Sequence, residues 1–428
     1  MTSASSVEQV ERALARIDEV DGTISSVCTR NDAALEQAKE RDAEAYDGRG
    51  AGPLHGRPVL VKDNVDTADL PTTAGSLALA AMPHPSRDAR LVRRLREAGM
   101  VVLGKTNLNE WANIRDSSST SGWSAYGGLT RNPHALNRSA GGSSSGSGAA
   151  VAAGIAPYAI GTETDGSITS PAAFNGCVGL KPTVGLVPTD GVVPISHSQD
   201  SPGALAMTVR DAAALLGVLA DGDVDYASHA VDGRLAGKRI GVPRATYWGY
   251  SSHADEHAER AVALLAAEGA TIVDRTDLVA MDDFDWHDEL LVLLAELRRG
   301  LESYLATRTG DGPRTLADVV AFNREHADTE LRHFGQSLFE QSLDGPGVDS
   351  LEYAEARARC LCHGRTGIDG LLREHDLDAL VTPSYAPAMP IDLVNAEDWP
   401  PPPEDGIVGP GMLICCCPVP RCKFEAIC

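Results

Sequence analysis

Residues 139–171 form a run of small side chains that constrains the fold of this chain more than any other stretch. The run contains two turns rich in serine and glycine, 141–148 and 165–167. Between them, residues 149–154 and 158–162 suit a short, tightly packed helix followed by a buried strand. Glycine lets backbone N–H groups approach a ligand, and a serine hydroxyl can donate, accept or attack. Because flexible linkers do not usually carry a buried strand between their turns, the run predicts a functional site.

Ser167 lies in the loop that follows this predicted strand. Ser170 as an N-cap and Pro171 at the first helical position predict that a helix begins just after that loop. Ligand sites in open α/β sheets favour such strand ends. Ser167 is therefore a candidate for a chemical role.

The rest of the chain alternates between strand-like and helix-like patterns, which predicts one large α/β domain with a helical segment inserted late. Residues 107–138 are expected to form a long polar connection. The predicted strands are 58–61, 100–103, 177–180, 192–195, 238–242, 271–274 and 379–381, and the predicted helices are 7–20, 32–46, 88–98, 208–219, 255–268, 285–307, 315–326 and 350–374.

The charge balance argues against a nucleic-acid partner, because the formal net charge is −23 and no basic patch interrupts it. No apolar run is long enough to span a membrane, and the acidic amphipathic N-terminus does not resemble a secretory signal. We therefore expect a cytoplasmic protein without a membrane partner. Only six of the 37 Lys and Arg residues are lysines. Such a surface suits high salt or reflects a GC-rich genome; a melting temperature that rises with KCl would indicate halophilic origin.

The nine cysteines fall into two groups. Cys28, Cys177, Cys360 and Cys362 are scattered, as expected of reduced buried thiols. The other five lie within residues 411–428 and form no C-x-x-C pair, so we expect no metal there.

Lys62 directly follows the predicted strand 58–61. A lysine buried at a strand end needs a partner or titrates with a lowered pKa, and the alternative is that it extends to a surface carboxylate. Residues 99–106 formally match the phosphate-loop pattern G-x-x-x-x-G-K-T. We reject a nucleotide site because the residues between these glycines are themselves a predicted strand, which a phosphate loop places before its first glycine.

Three interpretations of the serines remain. Residues 142–146 as the nucleophile elbow of an α/β-hydrolase lack a preceding apolar strand, and His363 and His375 lie in helical patterns. A passive anion-binding or peptide-binding module leaves the paired spacing of the two turns unexplained. The third interpretation is a hydrolytic site in which a neutral lysine in a dry pocket activates a serine. By composition alone, Lys62, Lys105 and Lys181 are all candidates for that base.

Five motifs together resemble the amidase signature family. They are LVKDNVD at 60–66, VVLGKTNLNEWAN at 101–113, GGSSSGSGAAVAAG at 141–154, GTETDGSITSPAAFNGCVGLKPTVG at 161–185 and VPISHSQDSPG at 193–203. The TETDGSI and NEWAN forms are most similar to the bacterial peptide amidases. The resemblance implies a single domain over 1–410, with a mixed central sheet covered by helices on both faces.

The resemblance also implies which residues form the site. It selects Lys62 as the base, Ser143 as a serine that follows a cis peptide bond, and Ser167 as the nucleophile 24 residues further on. Ser143 would relay the proton between the other two. We expect the backbone N–H groups of Thr164, Asp165 and Gly166 to bind the oxyanion, and Ser144 to orient the relay.

The implied activity is hydrolysis of a carboxamide to an acid and ammonia or an amine, through an acyl-enzyme and without a metal or organic cofactor. The partner would be a small-molecule or peptide amide. Two alternatives stay open. One is the glutamine-hydrolysing subunit of an aminoacyl-tRNA amidotransferase; against it, this chain reads SIT at 167–169, with Thr169 at the position of the Arg in the SIR motif that those subunits resemble. The other is an impaired homologue that acts as a binding protein.

Two departures from the family accompany this resemblance. Ala204 and Met207 replace a Pro and an Arg that are usual near the site. Residues 411–428 form a cysteine-rich tail that we expect to be truncated or frame-shifted, which would leave the C-terminal part of the sheet incomplete.

Overall fold

A mixed seven-stranded sheet forms the centre of the molecule in the computed structural model, which describes residues 4–50, 52–222, 224–277, 284–393 and 424–427. The strand order is β1-β3-β2-β6-β8-β7-β12. The strands of this sheet are β1 Val27–Arg30, β2 Pro58–Lys62, β3 Val101–Thr106, β6 Tyr158–Glu163, β7 Val178–Pro182, β8 Ser201–Ala206 and β12 Phe424–Ile427. A small hairpin, β4 Trp123–Ser124 with β5 Gly128–Leu129, lies in the connection between β3 and β6.

Helices cover both faces of this sheet. β2 runs parallel to β3 and β6, so the carboxyl ends of β2 and β6 lie side by side. Val59 and Val61 pack towards one group of helices, whereas Leu60 packs towards the other. The helices are α1 Ser6–Ile24, α2 Ala34–Tyr46, α5 Ser145–Ala152 and α6 Thr169–Asn175 on the Leu60 face, and α4 Arg90–Glu97 and α7 Val209–Leu219 on the opposite face.

A second, three-stranded parallel sheet and a group of helices follow in the chain. The sheet consists of β9 Arg239–Val242 between β10 Thr271–Asp274 and β11 Ala379–Leu380. The remaining helices are α3 Leu77–Ala80, α8 Arg244–Tyr247, α9 Ser252–Ala267, α10 Trp286–Leu305, α11 Leu316–Glu325, α12 Ala327–Glu330, α13 Ser337–Asp344 and α14 Leu351–Glu374.

The predicted α/β class, the mixed sheet and most of the predicted elements are confirmed, but one predicted strand is wrong, and five strands, β1, β4, β5, β8 and β12, are missed. Residues 192–195 form no strand; Val192 makes only an isolated bridge with Val65. The central strand β8 comes a few residues later and pairs antiparallel with both β6 and β7. Its sequence SPGALA has no β-branched residue, and all six of its residues are buried.

The predicted N-cap of α6 is also wrong. Ser170 and Pro171 lie inside the helix, which begins at Thr169. The first backbone N–H groups are instead satisfied by Glu163 Oε2, which accepts from Ile168 at 2.7 Å and from Thr169 at 2.9 Å. The carboxylate of Glu163, at the end of β6, therefore replaces the predicted N-cap side chain.

The predicted tail, 411–428, lies outside the described residues except for β12, which pairs antiparallel with β7 at the edge of the sheet. The proposal of a truncated or frame-shifted end stays a prediction. In the described part of the chain, no helix is both long and apolar enough to cross a bilayer. Cys28, Cys177, Cys360 and Cys362 are free, as expected, but only Cys177 is buried; Cys28 and Cys360 are partly exposed and Cys362 is exposed.

Candidate active site

Lys62 ends β2 with a side chain that is fully buried. Its Nζ lies 2.8 Å from Ser143 Oγ, 3.0 Å from Thr162 Oγ1 and 3.2 Å from the carbonyl oxygen of Thr162. All three partners are neutral groups. The side chain therefore points into the protein, and the alternative in which it extends to a surface carboxylate is wrong.

The pKa of Lys62 is lowered to about 7. Burial is the main cause, since it disfavours the ammonium form, and the carboxylates of Glu163 and Asp200 oppose it. A substantial fraction of the amine is consequently neutral near pH 7, which a lysine needs in order to accept a proton.

Ser143 follows a cis peptide bond to Gly142, as the resemblance implies. The carbonyl oxygen of Ser143 accepts a hydrogen bond from the backbone N–H of Asn109 at 3.2 Å. A Cβ added to Gly142 would lie 2.4 Å from Asn109 Oδ1, so the turn has room only for glycine there. Asn109, which belongs to the polar connection 107–138, therefore helps to fix the backbone of the turn at 141–148.

Ser144 joins the two serine-containing turns. Its Oγ donates to the carbonyl oxygen of Thr162 at 3.2 Å, and its backbone N–H donates to the carbonyl oxygen of Ser167 at 3.1 Å. Ser143 and Ser167 are both buried. Among the hydrogen bonds of the described residues, none joins their two hydroxyl groups directly.

Ser167 belongs to a turn between β6 and α6 that Glu163 holds closed. Besides the two backbone donors of α6, Glu163 Oε2 accepts from Thr169 Oγ1 at 3.2 Å. Gly166 has a φ of +74°, and a Cβ there would lie 2.3 Å from Tyr385 Oη. The backbone of this turn is therefore fixed by groups that sequence analysis did not identify, although Glu163 lies within the quoted TETDGS motif.

Thr164 and Asp165 occupy the same turn, beside Lys181. Thr164 donates its hydroxyl to Asp200 Oδ1 at 2.5 Å and accepts from Lys181 Nζ at its carbonyl oxygen, at 3.1 Å. Asp165 is exposed while its neighbours in the turn are buried. Burial, together with the charge of Asp165, raises the pKa of Glu289 to about 7. Glu289 lies on α10, 122 positions beyond Ser167, so no local pattern could have predicted it.

Lys105 does not join this site. Its Nζ pairs with Asp63 at 3.3 Å and donates to oxygens of Val65, Pro71 and Thr72 at 2.8–3.0 Å. Because Lys105 lies inside β3 and is bound to protein oxygens, the rejection of a phosphate loop at 99–106 is also supported.

The fold and the site define an α/β protein in which a buried lysine, its pKa near neutrality, contacts a serine-rich turn at the end of a mixed sheet. The chain belongs to the amidase family, whose model matches residues 8–402.

Known relatives and structures agree with this assignment. A probable amidase of Arabidopsis thaliana is 38% identical over 400 residues, which cover 88% of this chain and 76% of that protein. The crystal structure of the peptide amidase from Stenotrophomonas maltophilia is 44% identical, with a TM-score of 0.82 over 92% of this chain and 83% of the other. A glutamyl-tRNA(Gln) amidotransferase subunit of Acidothermus cellulolyticus is 41% identical over 372 residues, 82% of this chain and 70% of the relative. The chain is thus a hydrolase that acts on amides.

Proposed function

We propose that this amidase cleaves carboxamides through an acyl-enzyme on Ser167, with Lys62 as the base and Ser143 as the relay. The observation that carries the proposal is the 2.8 Å contact between Lys62 Nζ and Ser143 Oγ in a buried pocket. When substrate enters, the Ser167 hydroxyl turns towards Ser143. Catalytic hydrogen bonds that are open in a free enzyme often close in this way.

Each proton that leaves a serine hydroxyl in this mechanism is returned to a departing group. Ser167 Oγ bonds to the carbonyl carbon while its proton passes to Ser143, whose own proton passes to neutral Lys62. The C–N bond then breaks, and the proton returns from Lys62 through Ser143 to the departing nitrogen. A water molecule hydrolyses the ester along the same route. None of these steps needs a metal or an organic cofactor.

The backbone N–H groups of Thr164, Asp165 and Gly166 are proposed to bind the negatively charged oxygen of the intermediate. One such donor contributes about 3–4 kcal/mol in other hydrolases. Ser144 supports the arrangement, because it ties the carbonyl oxygens of Thr162 and Ser167 together. The turn thus carries both the nucleophile and its charge stabilisation.

A peptide with a C-terminal amide is the substrate class that we propose, because the chain is similar to the peptide amidase of S. maltophilia over nearly its whole length. Ammonia release should be measured with peptide amides, aryl amides and aliphatic amides. We expect the peptide amides to give the highest kcat/KM. The enzyme is proposed to act in the cytoplasm, without nucleic-acid or membrane partners, and its acidic surface to be adapted to salt.

The test variant is Ser167→Ala, and Ser170→Ala in the same segment is its matched control. Ser167→Ala removes the nucleophile and should abolish ammonia release, whereas Ser170→Ala should retain it, since Ser170 is proposed to have no role in the chemistry. Activity near the wild-type level in Ser167→Ala would refute the mechanism. A fluorophosphonate that fails to label Ser167 would favour a binding protein instead.

A second candidate is glutamine hydrolysis within an amidotransferase, which is favoured by the identity with the glutamyl-tRNA(Gln) amidotransferase relative. Thr169 argues against this candidate, because the SIR motif to which those subunits are similar has Arg at this position. In this chain the side chain of Thr169 is fully buried and donates to Glu163. Co-purification with further subunits and release of ammonia from free glutamine would support this candidate.

A further inference from the structure

A small cavity lies beside the hydrogen-bond network of Lys62. Its volume of about 10 Å³ for the centre of a water molecule leaves room for one water. The polar residues that line the cavity are Asn64, Thr162, Thr164, Asp200 and Ser201, and Val193 is one of the apolar residues. It is therefore both roomy and polar enough to hold a single water.

Asn64 is the polar residue whose hydrogen bonding is incomplete. Its side chain is buried, and its Nδ2 donates to Thr162 Oγ1 at 2.9 Å. Its Oδ1 has no hydrogen-bond partner among the described residues. A buried carbonyl oxygen left without a donor is unfavourable, and a water molecule in the adjoining cavity would supply the missing hydrogen bond.

We propose that one water molecule occupies this cavity and donates a hydrogen bond to Asn64 Oδ1, and that Asn64, oriented in this way, is a positioning residue for Lys62. The inference rests on the proposed function, in which Lys62 is the base. The water's other hydrogen points to Asp200 Oδ1, since a carboxylate oxygen accepts more than the one bond that it receives from Thr164.

Asn64 acts on Lys62 through Thr162. Thr162 Oγ1 accepts from both Asn64 Nδ2 and Lys62 Nζ, which uses both of its lone pairs. A neutral Lys62 has two N–H groups and one lone pair. When these N–H groups are directed to the two oxygens of Thr162, the lone pair of Lys62 Nζ faces Ser143 Oγ. The lone pair can then accept the proton that Ser143 passes on.

The same geometry affects the protonation of Lys62. Thr162 Oγ1 is a weaker acceptor for an ammonium group because Asn64 already donates to it. The charged groups that face Lys62 are Glu163 at the end of β6 and Asp200 in the segment before β8, and both favour the ammonium form. Asn64 opposes these two carboxylates and so adds to the effect of burial, which is the main cause of the lowered pKa of Lys62.

The test compares Asn64→Asp with Asn137→Asp, which adds the same charge at an exposed position. Aspartate at position 64 cannot donate to Thr162 and favours the ammonium form. The acid limb of the kcat/KM profile should therefore move to higher pH by about one pH unit, which is roughly a tenfold loss below the limb. The control should leave the acid limb where it is.

A high-resolution crystal structure of the wild-type protein tests the water directly, through electron density within hydrogen-bond distance of Asn64 Oδ1. Should Asn64→Asp fail to fold, Val193→Ile places a methyl group in the cavity, and displacing the water should also move the acid limb upward. An unoccupied cavity, or an acid limb that no variant moves, would overturn the inference. Wild-type protein without amidase activity would contradict the proposed mechanism instead, and the density would still decide whether the water is there.

Discussion

Lys62 and Lys105 are both fully buried on neighbouring strands, yet their surroundings differ in kind. In the register of β2 and β3, Val61 lies opposite Lys105, so the two lysines point to opposite faces of the sheet. Lys105 pairs with a carboxylate, Asp63, and binds several further oxygens. Lys62 contacts only hydroxyl and carbonyl groups, and its pKa is lowered to about 7.

Burial alone therefore does not make a lysine a base. A buried ammonium group with an ion partner and a full set of acceptors is a structural cation. A buried amine with neutral partners is destabilised in its charged form and becomes available for proton transfer. Paired substitutions at the two lysines and at their threonine partners should separate these two roles.

Catalysis should separate the two lysines most strongly. Lys62→Met should lower kcat for amide hydrolysis by about a thousandfold or more, because Lys62 is the only basic group hydrogen-bonded to Ser143 in the part of the chain that the structure describes. Lys105→Met should leave a measurable kcat in the fraction of protein that folds, since Lys105 contacts neither serine. Ammonia release per folded molecule, with folding quantified by circular dichroism, measures this. Equal losses in both variants would remove the distinction.

The free energy of unfolding should change in opposite directions when the two lysines are replaced. Lys105→Met leaves Asp63 buried and unpaired, which should cost about 3–5 kcal/mol in the free energy of unfolding. Lys62→Met removes an amine that must lose its proton on burial, which should stabilise the protein by about 3–5 kcal/mol at pH 7.

Urea denaturation of both variants and the wild type measures these free energies. A loss of stability in Lys62→Met comparable to that in Lys105→Met would contradict a lowered pKa at Lys62.

The pH dependence of stability should report the same amine. An unfolded lysine titrates near 10.5, whereas Lys62 titrates at about 7 in the folded protein. Between these values the unfolded state binds more protons, so the wild type should gain stability as pH rises, by at most about 1.4 kcal/mol per pH unit.

Lys62→Met should lack this component. The difference between the two free energies of unfolding, followed from pH 7 to pH 10 at constant ionic strength, isolates it. A difference that stays constant with pH would show that Lys62 is protonated in the folded state.

The threonine partners should give the smallest effects. Thr162→Val removes one acceptor from the ammonium form of Lys62, so the acid limb of kcat/KM should move a few tenths of a pH unit lower. Thr72→Val removes one acceptor from Lys105 and should lower stability by about 1–2 kcal/mol without moving the acid limb. Movement of the limb in Thr72→Val would mean that the two networks are coupled.

Most of the fold could be predicted from the sequence, because long amphipathic helices and apolar strands carry strong periodic signals. Helix α9 and strand β10 illustrate this, since their predicted bounds agree with the structure within a few residues. Strand β8 could not be predicted, because its small residues satisfy tertiary packing rather than an intrinsic β preference. The N-cap predicted for α6 is wrong because the first backbone N–H groups of the helix donate to Glu163 and not to the side chain of the predicted cap residue.

The set of candidate site residues is predicted only through the family motifs, and the roles of these residues stay predictions. Composition left three lysines open, since the partners of Lys62 are 81 and 100 positions away and no local pattern encodes such contacts. Asn64 stood in a quoted motif, but its contact with Thr162 exists only in the folded chain.

The most direct test of the account is the rate at which a fluorophosphonate labels Ser167 as a function of pH, with the labelled residue identified by peptide mass spectrometry. We predict labelling at Ser167 alone, with a rate that rises with pH around a midpoint of about 7 in the wild type and is lost in Lys62→Met but kept in Lys105→Met. Labelling at another residue, or an equal rate in Lys62→Met, would contradict the claim that a neutral buried lysine activates this serine.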